Sequence, residues 1–165
     1  MSKLTLKGNA INSIGELPKV GSKAPDFQMV KMDLSEVSLY SIKAKYKVLN
    51  IFPSVDTGTC ATSVRTFNKN ISDFPNAVVL NLSMDLPFAL KRFCGAEGIT
   101  RAESASVFRS NFSKTYGLEF ADGPLKGLCS RAVIVLNENN EILYSEQVGE
   151  ISSEPNYAAA LKVLK

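Results

Sequence analysis

The chain of 165 residues contains no histidine and no tryptophan. Without histidine, the Ser-His-Asp and Cys-His nucleophile systems are excluded, as are His-ligated haem and the helical His-Glu metalloprotease motif. Cysteine is scarce: the three stand at 60, 94 and 129. An odd number with no close pair is not a disulfide framework, and no histidine is present to complete a zinc ligand set. Zinc is therefore not expected. Long apolar runs are also missing, so no membrane span is expected. The segment Met1-Ser2-Lys3-Leu4-Thr5-Leu6-Lys7 alternates apolar and polar residues and lacks the apolar region of a signal peptide. A cytoplasmic location is the expectation. The net charge is only +3. Lys43, Lys45 and Lys47 alternate with other residues, which reads as a solvated basic surface and not as a nucleic-acid site.

What is present suits one globular domain over residues 1–165, with 45% hydrophobic residues and 21% charged. Leu4 to Ile14 reads as a hairpin turning near Gly8-Asn9. Short apolar runs at Phe27–Val30, Val48–Phe52, Ala77–Leu82 and Ala132–Leu136 read as strands, with Ile142–Tyr144 as the antiparallel partner of the last. A helix is predicted from about Gly58 to Phe74, with Val64, Phe67, Ile71 and Phe74 on its inward face and Thr57 or Asp56 as its cap. A second opens at Asp85-Leu86-Pro87, with Asp85 as the capping acid and the proline in the first turn, and closes near Cys94-Gly95. Residues 95–127 carry a weaker pattern, with a short helix around Ser110–Tyr116, and a last helix follows Pro155. Strand-helix-strand, helix, hairpin and closing helix make an α/β plan. It is a thioredoxin-like mixed sheet with helices on both faces, plus the N-terminal β-hairpin.

Within that plan Pro53-Ser54-Val55-Asp56-Thr57-Gly58-Thr59-Cys60 joins a strand to a helix. The N–H groups of a helix start lack intrahelical partners and favour negative charge, so a thiol placed there is driven towards its reactive thiolate. Cys60 lies four residues before Val64 and shares its inward face. Thr57 can offer its hydroxyl to the sulfur or to a substrate. Pro53, with fixed φ and no N–H, can shield a pocket. A thiolate without histidine needs another fixed cation. Arg131 stands immediately before the apolar strand Ala132–Leu136, an expensive place for an unpaired charge. It could serve as that cation or as a structural ion pair. Arg92 reads as a surface charge.

Pro53, Thr57 and Cys60 compose Pro-x-x-x-Thr-x-x-Cys, which resembles the active-site signature of the peroxiredoxins. Asn50–Gly58, Asp85–Phe88, Arg92–Gly98 and Ala121–Leu128 are similar to the bacterial thiol peroxidase subfamily, and the resemblance covers nearly the whole chain. It implies that Cys60 is the peroxidatic cysteine, that Arg131 is the catalytic arginine, and that Cys94 is the resolving cysteine, closing an intramolecular Cys60–Cys94 disulfide. It also implies hydrogen peroxide and alkyl or lipid hydroperoxides as substrates, thioredoxin as the reductant, a homodimer, and no metal, haem, flavin or other cofactor.

A disulfide needs Cα atoms within about 7 Å. Opposite ends of successive helices need not satisfy that, so the turns bearing Cys60 and Cys94 are expected to unwind as the bond forms. Cys129 belongs to no motif of the family and reads as a small buried residue. Asn81, Met84 and Phe88 could line an apolar entrance or simply pack in the core. A Cys-x-x-Cys disulfide reductase is disfavoured because position 57 is threonine. A redox sensor using the same two cysteines remains open as an added role.

Overall fold

The computed structural model describes residues 2–164. Strands β1 (Lys3–Leu6) and β2 (Asn9–Asn12) form the N-terminal hairpin. Its turn is Lys7-Gly8, both at positive φ, one residue earlier than expected. The main sheet contains β3 (Gln28–Lys31), β4 (Glu36–Ser38), β5 (Tyr46–Ile51), β6 (Ala77–Ser83), β7 (Glu103–Ser106), β8 (Ala132–Asn137) and β9 (Ile142–Gln147). Its order is β4-β3-β7-β6-β5-β8-β9. β5, β6 and β7 run parallel, and the outer strands are antiparallel to their neighbours. The mixed thioredoxin-like sheet expected from the sequence is the one observed.

Two strands are additions to that expectation. β4 is a three-residue edge strand, and β7 lies hidden in the weakly patterned segment. Its Glu-Ser-Ala-Ser has no β-branched or aromatic residue, the usual mark of a strand, yet Ser104, Ala105 and Ser106 are buried.

The helices follow the period-2 alternation of the central strands. Val48 and Val79 face one way, against α1 (Gly58–Asn70), α2 (Pro87–Glu97) and α4 (Tyr157–Lys162). Leu49, Ile51, Leu80 and Leu82 face the other, against α3 (Phe112–Thr115), Phe27 and Met29. The sheet therefore separates two cores. A third cluster of Leu4, Ile11, Phe120 and Ile151 fixes the hairpin to the body.

Lys47 is a correction. Lys43 and Lys45 are exposed as expected, but Lys47 is only 1% exposed. Its Nζ donates to the Leu39 carbonyl at 2.9 Å and to Asn140 Oδ1 at 2.7 Å. Burial lowers its pKa below the ordinary lysine value. Alternation along a strand places every second residue on one face, and on a strand buried on both faces each of those positions points into a core.

Candidate active site

The end of β5 delivers the chain to the start of α1, and the loop between them is tied down from the neighbouring strand. Asp85, just past β6, takes the Val55 N–H on Oδ2 at 2.9 Å and the Ser54 hydroxyl on Oδ1 at 2.7 Å. The Ser83 hydroxyl donates to Oδ2 of the same carboxylate at 2.6 Å. Asp85 therefore corrects the expectation that it caps α2. The N-cap position is Leu86, which makes no side-chain cap bond, with Pro87 opening the helix. Because β5 and β6 are parallel and in register from Tyr46–Ala77 to Ile51–Leu82, they end at the same level, and an acid after one reaches the loop after the other.

Thr57 is the N-cap residue of α1, as expected by position. Its hydroxyl, however, donates to the Ser54 carbonyl at 3.1 Å and makes no cap bond to the helix. Cys60 lies in the first turn and is fully buried. Its sulfur receives a hydrogen bond from Arg131 Nη2 at 3.2 Å. Arg131 is itself 2% exposed, and its Nε and Nη2 donate to the Ile151 carbonyl at 3.0 and 2.9 Å. That carbonyl orients the fork; Nη1 has no partner among the described residues. A buried guanidinium donor without an acceptor is costly, and here it stands beside the Cys60 sulfur. Among the described residues Arg131 forms no ion pair with a carboxylate. Of its two sequence readings, this geometry favours the cation beside the sulfur.

Pro53, Thr57, Gly58 and Arg131 share the wall of a cavity of about 310 Å³ with Leu6, Leu125 and Ile151. Pro53 is buried and Thr57 exposed, so the cavity opens beside the loop and deepens towards the guanidinium. Four of the five sequence candidates thus meet at one place, Cys60 through its bond to Arg131.

Cys94 is elsewhere. The helix bearing it runs to Glu97, past the expected stop at Gly95. Gly98 supplies the left-handed cap at φ +66°, and its N–H goes to the Cys94 carbonyl. The Cys94 sulfur is buried and lies 3.3 Å from Ser104 Oγ on β7. Burial raises its pKa, opposed by the Ser104 hydroxyl. Cys129 is fully buried in the core on the far side of the sheet. Burial, with the nearby Glu119 and Asp85 carboxylates, pushes its thiol up to about 12. Asn81 is no entrance residue: it is buried and hydrogen-bonded under the helices, Met84 packs on the far core, and Phe88 stands 66% exposed. Arg92 is the surface charge expected, paired with Asp56 at 3.1 Å.

Asp85 and Ser104 are the site residues that sequence reasoning missed. Strand register could have found Asp85. Ser104 carried no signal, because its strand was not recognised.

This architecture is shared by known proteins. A family model described as Redoxin matches residues 19–161. Among solved structures, a peroxiredoxin-like protein from Aquifex aeolicus superposes with a TM-score of 0.92 at 36% identity, over 98% of this chain and 95% of that one. A thiol peroxidase from Chromobacterium violaceum has the same fold, with a TM-score of 0.90 at 23% identity over 98% and 94%. A thiol peroxidase of Mycobacterium bovis is 52% identical over 99% of both chains. The chain belongs to the peroxiredoxin family, among the bacterial thiol peroxidases. As a peroxiredoxin it is an enzyme that reduces peroxide by means of a thiol. No helix among its described residues is long and apolar enough to cross a membrane.

Proposed function

We propose that Cys60 is the peroxidatic residue of this peroxiredoxin, acting on hydrogen peroxide and on alkyl or lipid hydroperoxides. The observation that carries this reading is the 3.2 Å bond from Arg131 Nη2 to the Cys60 sulfur, with Nη1 left unpartnered beside it. The Cys60 thiolate attacks one peroxide oxygen, the O–O bond breaks, and the departing oxygen leaves as water or alcohol once protonated. Cys60 is left as a sulfenic acid. Arg131 can hold the thiolate with one nitrogen and polarise the peroxide with the other. Thr57 presents a hydroxyl at the rim, and Pro53 screens the cavity from water. Leu6, Leu125 and Ile151 suit the carbon chain of an alkyl hydroperoxide.

Cys94 is the resolving residue in this proposal. Its sulfur attacks the sulfenic sulfur of Cys60 and the oxygen leaves as water, so an intramolecular disulfide replaces thiol and sulfenic acid. Thioredoxin would then reopen it by thiol exchange, and a homodimer working in the cytoplasm completes the reading. Peptide mapping under non-reducing conditions after one equivalent of peroxide tests it. A Cys60–Cys94 link, with sustained turnover when thioredoxin is added, is the expected result. A Cys60–Cys129 link or an intermolecular bond would overturn the assignment of Cys94.

A further inference from the structure

Three buried polar residues cross the centre of the sheet in register: Asn50 on β5 stands opposite Asn81 on β6, and Asn81 opposite Ser104 on β7. They lie on the face covered by α1 and α2, where the flanking positions Val48 and Val79 are apolar core. Their hydrogen bonds point one way. Asn50 Nδ2 donates to Asn81 Oδ1 at 2.9 Å, and Asn81 Nδ2 donates to Ser104 Oγ at 3.4 Å. The Ser104 oxygen is thereby engaged as an acceptor, and the same hydroxyl lies 3.3 Å from the Cys94 sulfur, a hydrogen bond in which either atom can donate. At the other end Asn50 Nδ2 also donates to Ser63 Oγ at 3.2 Å, and Ser63 Oγ donates to the Cys60 carbonyl at 2.8 Å. One chain of side chains therefore runs from the turn of Cys60 to the sulfur of Cys94.

The two sulfurs are held by different partners. The Cys60 sulfur is held by Arg131, which directly precedes β8, and the Cys94 sulfur by Ser104 on β7. In the order β7-β6-β5-β8 those strands are three spacings apart, about 14 Å at about 4.8 Å each. The two sulfurs thus have separate anchors, on either side of β5 and β6 in the strand order.

We propose that the Asn50–Asn81–Ser104 ladder is a latch on Cys94, with Ser104 the positioning residue that sets how often this thiol is released towards oxidised Cys60. The proposal rests on the reading of Cys94 as the resolving cysteine. The Cys94–Ser104 bond is made in the reduced fold and broken before the Cys60–Cys94 bond forms, so weakening it raises the population of released Cys94. A slow release leaves Cys60 longer as sulfenic acid, open to a second peroxide and conversion to sulfinic acid.

Rapid mixing of the reduced full-length protein with one equivalent of hydrogen peroxide, acid quenching and mass analysis tests this with Ser104→Ala and Ser104→Thr. Ser104→Ala is expected to consume the Cys60 thiol at the wild-type rate but to form the disulfide roughly three- to tenfold faster, the worth of one buried hydrogen bond. Ser104→Thr, which keeps the hydroxyl, restores the slower rate. In the reduced protein, amide exchange around Phe93–Gly95 is faster in Ser104→Ala, whereas that of β8 is unchanged. Resolution at the wild-type rate, or unaltered exchange at Phe93–Gly95, overturns the latch. So does slower resolution with a pH midpoint moved upward, which would make Ser104 an activator of the thiol. If wild-type protein forms no Cys60–Cys94 link, the assignment of Cys94 itself fails; a link formed at equal rates in both proteins defeats the latch alone.

Discussion

Cysteine appears three times in this chain, and its surroundings give each copy a different character. Cys60 has a guanidinium on its sulfur, Cys94 a serine hydroxyl, and Cys129 only apolar packing with carboxylates beyond. A thiol pushed up to about 12 stays protonated through the neutral range, and a protonated thiol is a poor nucleophile. Cys129→Ser is therefore expected to leave peroxide turnover close to wild type. The same change buries a hydroxyl where a sulfur packed, so stability should fall by about 1–3 kcal/mol. Peroxidase assay alongside thermal denaturation checks both halves, and a large loss of turnover at full stability would put Cys129 in the reaction. Cys60 and Arg131 were legible in the sequence, because a thiol at a strand-to-helix junction and a charge against an apolar strand each carry an energetic cost that function can explain. Asp85 and Lys47 were not. Their meaning depends on what lies opposite them in the sheet and in the core, which single-chain periodicity does not report.

At the scale of elements, boundaries were harder to read than existence. The hairpin, the central strands and the two long helices are where the apolar spacing placed them. The end of α2 is not, because Gly95 and Gly98 are both plausible stops by residue type, and only Gly98 takes the left-handed conformation that a cap requires. β7 escaped for a related reason: its residues are chosen for a polar ladder, not for strand propensity. Glu150 is one of the ties between the N-terminal hairpin and the body, beside the apolar cluster and the Asn12–Asp122 hydrogen bonds. Glu150 Oε1 accepts from the Gly8 N–H at 2.8 Å and Oε2 from the Ser152 N–H at 2.8 Å, with the Ser152 and Thr5 hydroxyls adding to the set. These donors, Ser152 foremost, hold its pKa down to about 2, from the ordinary 4.5. A carboxylate with a lowered pKa supports the fold fully above its ordinary value and loses that support as pH falls through the lowered one. The hairpin contact is thus expected to persist at pH 5 and to loosen between about 4.5 and 2. An NMR titration of the Gly8 amide should show a midpoint near the lower value, absent in Glu150→Gln; a midpoint at the ordinary carboxyl value would remove the proposed tether.

Taken as a whole molecule, the fold keeps its chemistry on one side. Cys60 and Cys94 both belong to the core under α1, α2 and α4, while Phe27, Phe112, Tyr116 and Cys129 fill the other, with the sheet between them. β5, the strand that delivers the chain to Cys60, is paired along its full length on both edges, to β6 and to β8. A rearrangement that brings the two sulfurs together is therefore expected to take its motion from the first turn of α1 and the last turns of α2, where carbonyls and N–H groups already lack a complete helical set. Hydrogen exchange of reduced and peroxide-oxidised protein makes this visible. Amides in 57–64 and 90–98 should exchange faster after oxidation, because local opening exposes them, while those of β5, β6 and β8 and of 112–118 should hold their protection. Equal exchange in the two states would mean that the cysteines meet without unwinding either helix. Loss of protection on both faces would mean that the sheet does not insulate one core from the other. The expected asymmetric pattern would show that this enzyme opens half of its interior and holds the rest fixed to guide the chain back.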